Sequence, residues 1–111
     1  MNDLHKQACE ACQKGAPTLS EDELATAKQQ LPDWRLEEVD GVKRFVRLFG
    51  FKNFRDALQF AYKVGDLAED NNHHPKLVVE WGKVEVSWWT HKIQGVHKND
   101  AIMAAKTEAL L

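Results

Sequence analysis

Residues capable of proton chemistry are concentrated in one stretch of the chain, where three histidines stand near two carboxylates. They are Glu69, His73, His74, His91 and Asp100. An imidazole can donate or accept a proton near neutral pH at a small free-energy cost, and a neighbouring carboxylate holds it in one tautomer. This set suits general acid–base catalysis on a neutral heterocycle. Three neutral imidazoles also match an open zinc site, so residue type alone leaves both interpretations open.

A predicted β-hairpin brings these histidines together. Two extended stretches, residues 77–81 and 84–90, flank a turn at Gly82, and alternation along the second predicts one buried face. His74 lies eight residues before Gly82 and His91 nine residues after it. Antiparallel pairing would place the two nearly opposite each other. We therefore expect one end of this hairpin to gather the three imidazoles.

Two helices are marked by capping residues. Ser20 and Glu23 have the spacing of a capping box, which predicts a helix over residues 21–30. Asn53 is expected to cap a second helix that runs from residue 54 to 69 or 70. Apolar residues recur in this segment at the spacing of an amphipathic helix, which makes it the strongest helix prediction in the chain.

Between these helices the sequence predicts a first hairpin. Extended stretches at 34–39 and 42–49 are joined by an Asp-Gly turn that ends at Gly41, a residue that tolerates the positive φ of tight turns. Alternation in the second stretch is interrupted because Phe45 and Val46 are both apolar. Either a sheet covered on both faces or a β-bulge would explain the pair, and the sequence does not choose.

The predicted fold class is α+β, with the order α-β-β-α-β-β-α. Asn99 is expected to cap a last helix over residues 100–110. Two hairpins separated by a helix favour a four-stranded antiparallel sheet with three helices packed on one face. We predict a single domain over 19–111, preceded by a flexible arm at 1–18. The uncovered sheet face and the edge strands favour self-association.

Composition excludes several classes of function. Fifteen basic residues against seventeen acidic give a formal net charge of −2, so no basic excess favours direct nucleic-acid binding. The apolar runs are too short to span a membrane. The first residues lack the order of a secretory signal, and two cysteines are too few for a disulfide scaffold. We therefore expect a cytoplasmic protein.

The histidine-rich region resembles the signature of the pterin-4a-carbinolamine dehydratases. That pattern is Glu-x-x-x-His-His-Pro, an aromatic residue six positions later, a histidine ten positions after it, and an aspartate nine positions further on. The matching residues are Glu69, His73, His74, Pro75, Trp81, His91 and Asp100. The likeness covers about residues 18–111, and it includes Leu19-Ser20-x-Asp22-Glu23, Pro32-Asp33-Trp34 and Phe51-Lys52-Asn53-Phe54. Such a long pattern of uncommon residue types is a specific signal.

The resemblance implies a dehydratase that converts 4a-hydroxytetrahydrobiopterin to quinonoid dihydropterin and water. Such an enzyme recycles the pterin used by an aromatic amino acid hydroxylase. Family members work without a metal or redox cofactor, so the resemblance implies no cofactor and argues against zinc. By position, His73 and His91 are expected to transfer protons, and His74 is expected to bind the pterin and help to handle protons.

The same resemblance suggests supporting residues and partners. Glu69 would orient a histidine or hydrogen-bond the pterin, Asp100 would orient His91 and cap the last helix, and Trp34 would wall the pocket. Homodimers or homotetramers are expected. An alternative function is a protein-binding coactivator or assembly module that uses the helical face, with or without catalysis.

A second candidate motif lies in the arm. His5, Cys9 and Cys12 have the spacing His-x3-Cys-x2-Cys, three ligands that zinc accepts. A strong site needs a fourth ligand, so reduced and non-catalytic thiols are the favoured interpretation.

Overall fold

The structure, a computed structural model, describes residues 19–111. Its elements in chain order are α1 (Glu21–Gln30), β1 (Arg35–Val39), β2 (Val42–Gly50), α2 (Phe54–Asn71), β3 (Lys76–Glu80), β4 (Lys83–Trp88), a 3-10 turn (His91–Ile93) and α3 (Lys98–Glu108). This order confirms the predicted α-β-β-α-β-β-α arrangement and the α+β class. The predicted arm at 1–18 and its cysteine motif lie outside the described residues.

The four strands form one antiparallel sheet in the order β1-β2-β4-β3. The first hairpin turns at Asp40 and Gly41, which both have positive φ, as the Asp-Gly pair predicts. Phe45 and Val46 keep a continuous register with both neighbouring strands, so there is no bulge at this pair. They therefore face opposite sides of the sheet.

The helices contribute to one core on a single face of the sheet. Phe45, Phe49, Val84, Val86 and Trp88 share that face in the strand register and belong to one buried cluster. The helices add to the same cluster Leu24, Ala27, Ala57, Phe60, Ala61, Val64, Ala68, Ala101, Met103 and Ala104. Among residues 19–111, no helix combines the length and the apolar character needed to cross a bilayer.

The first two helix caps agree with the sequence. Ser20 Oγ accepts a hydrogen bond from the Glu23 amide, and the Glu23 carboxylate accepts one from the Ser20 amide. Asn53 caps α2 by accepting from the Asp56 amide at 2.7 Å. Both helices thus begin where short polar side chains can satisfy free amide groups.

The prediction that Asn99 caps the last helix is wrong. The cap is His97, whose Nδ1 accepts from the Asn99 amide at 3.2 Å, and α3 begins at Lys98. Asp100 accepts from the His97 amide, as the third residue of a capping box does. Histidine is not among the preferred capping residues, which is why the sequence pattern favoured the asparagine two positions later.

The second hairpin ends earlier than predicted. β4 stops at Trp88, and Thr90 pairs with Gly95 in an isolated antiparallel bridge that closes a tight loop. His91 therefore lies in the 3-10 turn after the strand instead of at its end. Extending the β3–β4 register by two residues places His74 level with Trp89, two residues before His91.

Candidate active site

A buried carboxylate organises the histidine cluster. Asp100 is fully buried, and His73 Nε2 lies 2.7 Å from its Oδ1. Its Oδ2 accepts hydrogen bonds from Thr90 Oγ1 at 2.7 Å and from the His97 amide at 2.8 Å. When the carboxylate is ionised it can only accept, and His73 Nε2 is then the donor of this pair. Asp100 thereby joins the end of α2, the loop after β4 and the start of α3.

The end of α2 directs His73 towards that carboxylate. Asn72 adopts a left-handed conformation, and the His73 amide donates to the carbonyl of Ala68 at 3.1 Å, which ends the helix. The His73 ring stacks on Trp88, with 5.7 Å between centroids and 8° between planes. Only 5% of His73 is exposed. Its orientation is therefore set by packing as well as by a hydrogen bond.

His74 forms a second histidine–carboxylate pair. His74 Nε2 lies 2.7 Å from Glu69 Oε2, and the two side chains are 57% and 73% exposed. The left-handed turn at Asn72 lets His74 reach back along the helix to Glu69. Glu69 therefore lies within hydrogen-bond distance of a histidine, and its role in orienting that ring stays a prediction. Because solvent screens an exposed pair, it adds little to fold stability and leaves His74 accessible to a ligand.

His91 takes a different position from the one predicted. It is exposed in the 3-10 turn, and its ring stacks on Trp89 with 4.4 Å between centroids. Asp100 was expected to orient His91, but its oxygens are occupied by His73, Thr90 and the His97 amide. Thr90 links the two histidines, because it bonds to Asp100 and directly precedes His91.

Trp34 does not line an open site in this chain. It is 1% exposed and packs edge-on against Phe49 in the core, with 5.9 Å between centroids. Its Nε1 donates to Glu108 Oε1 at 2.8 Å, and Arg47 Nη1 donates to the same oxygen at 2.7 Å. A buried tryptophan usually finds such a partner for its N–H, and here it ties the hairpin to the end of α3.

The histidine cluster is open to solvent. His74 and His91 are exposed, whereas His73 is buried. A cavity of about 340 Å³ lies elsewhere, along α1 and the start of α3, and has no histidine in its lining. In the described part of the chain, no three histidine, cysteine or acidic side chains converge in a way that could hold a metal ion.

Two contributors to the cluster were missed by sequence reasoning. Thr90 donates to Asp100, and Trp88 supplies the ring on which His73 stacks. Thr90 is a polar residue directly before a signature histidine, and this position could have indicated a role at the site. Trp88 offered no comparable signal, because its apolar alternation in β4 fits a core position equally well.

Comparisons with known proteins identify the family of this chain. The family model "Pterin 4 alpha carbinolamine dehydratase" matches residues 17–110. A protein of Syntrophotalea carbinolica is 52% identical over 111 residues, which is 100% of this chain and 99% of that protein. One of Saccharophagus degradans is 54% identical over 110 residues, 99% and 97% of the two chains. Both are named "Putative pterin-4-alpha-carbinolamine dehydratase".

A solved structure shares the fold. The crystal structure of a "transcriptional coactivator/pterin dehydratase" from Brucella melitensis superposes with a TM-score of 0.75 and 34% identity. The match covers 85% of this chain and 98% of the other. The family match and the full-length relatives confirm the resemblance carried by the histidine signature. The chain belongs to the pterin 4 alpha carbinolamine dehydratase family.

Proposed function

We propose that this protein dehydrates 4a-hydroxytetrahydropterins to quinonoid dihydropterins. In this reaction the carbinolamine C–O bond breaks, the adjacent ring nitrogen loses its proton, a C=N bond forms and water leaves. Hydroxide is a poor leaving group, so an acid must protonate it while a base removes the nitrogen proton. The three imidazoles can supply both functions near neutral pH without a bound cofactor.

The observation that carries this proposal is the buried Asp100–His73 pair within the matched signature. A carboxylate that fixes the tautomer of a histidine is the usual support of a histidine general acid or base. His73 and His91 are assigned to proton transfer. His74, paired with Glu69 and exposed, is assigned to pterin binding and a secondary part in proton handling.

The proposed cellular role is the recycling of a pterin cofactor. The substrate arises when an aromatic amino acid hydroxylase uses its tetrahydropterin, so the protein would recycle that pterin in the cytoplasm. Such a role requires contact with a small molecule and no stable complex with the hydroxylase. The relatives named above support the dehydratase assignment. The link to a hydroxylase is part of the proposal.

The test is the ultraviolet decay of synthetic carbinolamine with and without the protein. Wild type should accelerate the decay. His73→Ala and His91→Ala should each lower kcat by about 10²- to 10⁴-fold, the usual effect of removing a general acid or base. His74→Ala should raise KM more than it lowers kcat. His5→Ala removes a histidine outside the signature and serves as the control.

Two results would contradict the proposal. An unchanged decay rate with folded wild-type protein would refute the dehydratase function. Full activity in both His73→Ala and His91→Ala would leave the function standing and refute the assignment of the proton-transfer residues.

A second candidate function is protein binding. The Brucella melitensis relative is described as both a coactivator and a dehydratase. An exposed row of apolar residues on α2, formed by Phe54, Leu58 and Tyr62, offers a surface for such a partner. A partner bound there should be retained by His73→Ala and lost by Leu58→Glu in a binding assay with purified components. The opposite pattern would favour binding at the histidine cluster.

A further inference from the structure

Trp89 lies at the centre of a stack that connects the site to the open face of the sheet. The Arg44 guanidinium carbon lies 3.9 Å from the centroid of the indole ring. The His91 ring lies 4.4 Å from it, with 26° between the planes. Trp89 is partly buried, and His91 is exposed. A signature histidine is therefore held by an aromatic ring that the signature does not include.

The strand register explains why Arg44 reaches this ring. Phe45 pairs with Trp88 across β2 and β4, so the next residues along the two strands are Arg44 and Trp89. Their side chains leave the sheet on the face opposite the helices. The buried Nε of Arg44 has no hydrogen-bond partner within residues 19–111. The cation–π contact places this guanidinium against the indole from the β2 side.

His91 depends on this stack more than the other two histidines depend on their neighbours. His73 is bonded to Asp100, and His74 is bonded to Glu69. Among the side chains that the structure describes, none is recorded as a hydrogen-bond partner of the His91 ring nitrogens, and the recorded contact of this ring is with Trp89. An exposed imidazole without such a contact samples several rotamers. Proton transfer requires one orientation in which a ring nitrogen faces the reacting atom.

We propose that Trp89 is a positioning residue for His91, and that Arg44 supports Trp89 in this role. Stacking fixes the plane of the imidazole while leaving both ring nitrogens open to the substrate. This inference rests on the proposed dehydratase function, because it deepens the role of His91 in that reaction. In this proposal the aromatic face of Trp89 orders the His91 ring. A hydrogen bond from the indole N–H is not needed.

The first test compares Trp89→Leu with Trp89→Phe. A stacked aromatic pair contributes about 0.5–1.5 kcal/mol, so Trp89→Leu should lower kcat by about 2- to 10-fold with little change in KM. Trp89→Phe keeps an aromatic face and should retain most of kcat. Leu36→Ala removes an exposed apolar side chain from β1, away from the histidines and from α2, and serves as the control.

A spectroscopic readout separates positioning from packing. In wild type, the indole ring current should shift the carbon-bound ring protons of His91 upfield in the NMR spectrum. The shift should be lost in Trp89→Leu, partly kept in Trp89→Phe and unchanged in Leu36→Ala. Circular dichroism checks that each variant is folded. If Trp89→Leu proves unfolded, Arg44→Met tests the same stack from its other end.

Arg44→Met removes the cation and keeps a long side chain. It should lower kcat by about 2- to 5-fold through a looser indole, the range expected for an exposed to partly buried cation–π contact. Arg55→Met removes an exposed cation from the first turn of α2 and serves as the charge-matched control. A smaller His91 ring-current shift in Arg44→Met would support the stack, and an unchanged shift would remove Arg44 from the proposal.

The outcomes distinguish this inference from the proposed function. If wild type is active and folded Trp89→Leu retains full kcat, the positioning role is refuted and the dehydratase function stands. Equal losses of kcat in Trp89→Leu and Trp89→Phe would assign the effect to packing and also refute the inference. If wild type is inactive, the proposed function fails, while the NMR shifts still decide whether Trp89 orders the His91 ring.

Discussion

Asp100 is the residue on which the geometry of the site depends most. Three donors from three parts of the chain, the His73 ring, the Thr90 hydroxyl and the His97 amide, converge on its two oxygens. The carboxylate is fully buried, so no solvent can replace a lost partner. One side chain therefore contributes both to the orientation of a histidine and to the start of α3.

Asp100→Asn tests this double role. An amide offers one acceptor oxygen and places an NH2 group against a donor, so we expect a loss of about 1–3 kcal/mol in the free energy of unfolding. The kcat should fall as well, because His73 loses its fixed tautomer. Urea denaturation and the carbinolamine assay measure the two effects. Asp70→Asn, at an exposed position of α2, is the control. Wild-type stability in Asp100→Asn would contradict this account.

At the scale of secondary structure, the helices are positioned by their caps. α1 has a complete capping box between Ser20 and Glu23, and α3 has a cap built from His97 and Asp100. The backbone hydrogen bond from Ser20 is the main cause of a lowered pKa at the Glu23 carboxyl, followed by the bond with the Ser20 side chain. The Leu19 amide donates to the Val96 carbonyl at 3.0 Å, so the residues that precede α1 and α3 lie next to each other.

The lowered pKa of Glu23 gives stability a defined pH dependence. A carboxyl whose pKa is lower in the folded state stabilises the fold above its unfolded pKa, near 4.5, and loses that contribution as pH falls through the folded value. Glu23→Gln should therefore be less stable than wild type at about pH 6, and the difference should shrink towards about pH 3.

Thermal unfolding across this pH range measures the difference between wild type and Glu23→Gln. Glu21→Gln removes a carboxyl in the same turn that takes no part in the capping box, and it serves as the control. A difference that grows as pH falls would have the wrong sign for a lowered pKa and would contradict the capping assignment.

At the scale of the whole molecule, two apolar surfaces are exposed within residues 19–111. The helices lie on one face of the sheet, and the other face exposes Leu48 and Val78. On α2, Phe54, Leu58 and Tyr62 recur every four residues, and Tyr62 is 75% exposed. Aligned apolar side chains at this spacing are typical of a helix that packs against a partner. Both surfaces are candidate contacts for the homodimer or homotetramer, which stays a prediction.

Leu58→Glu tests the α2 surface. A carboxylate buried in an apolar helix contact without a partner is strongly unfavourable, so the variant should form a smaller species than wild type. Sedimentation velocity measures the change. Gln59→Glu adds the same charge at an exposed position of α2 outside the apolar row. Equal sedimentation of wild type and Leu58→Glu would assign self-association, where it occurs, to another surface.

Local sequence signals accounted for most of the fold. The bounds of α1, the caps at Ser20 and Asn53 and the positive φ at Gly41 all follow from interactions within four residues. The histidine signature likewise carried the family assignment. These features are determined by short-range geometry and residue type, which the sequence displays directly.

The pairing of side chains across elements depended on tertiary structure. Asp100 lies nine residues after His91 but bonds to His73, which is 27 residues away in sequence. Trp34 was expected at the site and is instead buried against Phe49. Which donor reaches a carboxylate depends on helix orientation and on where a strand ends. Helix orientation and strand length are set by the packing of the whole core. Many weak contacts between residues distant in sequence add up there, and no single local pattern displays their sum.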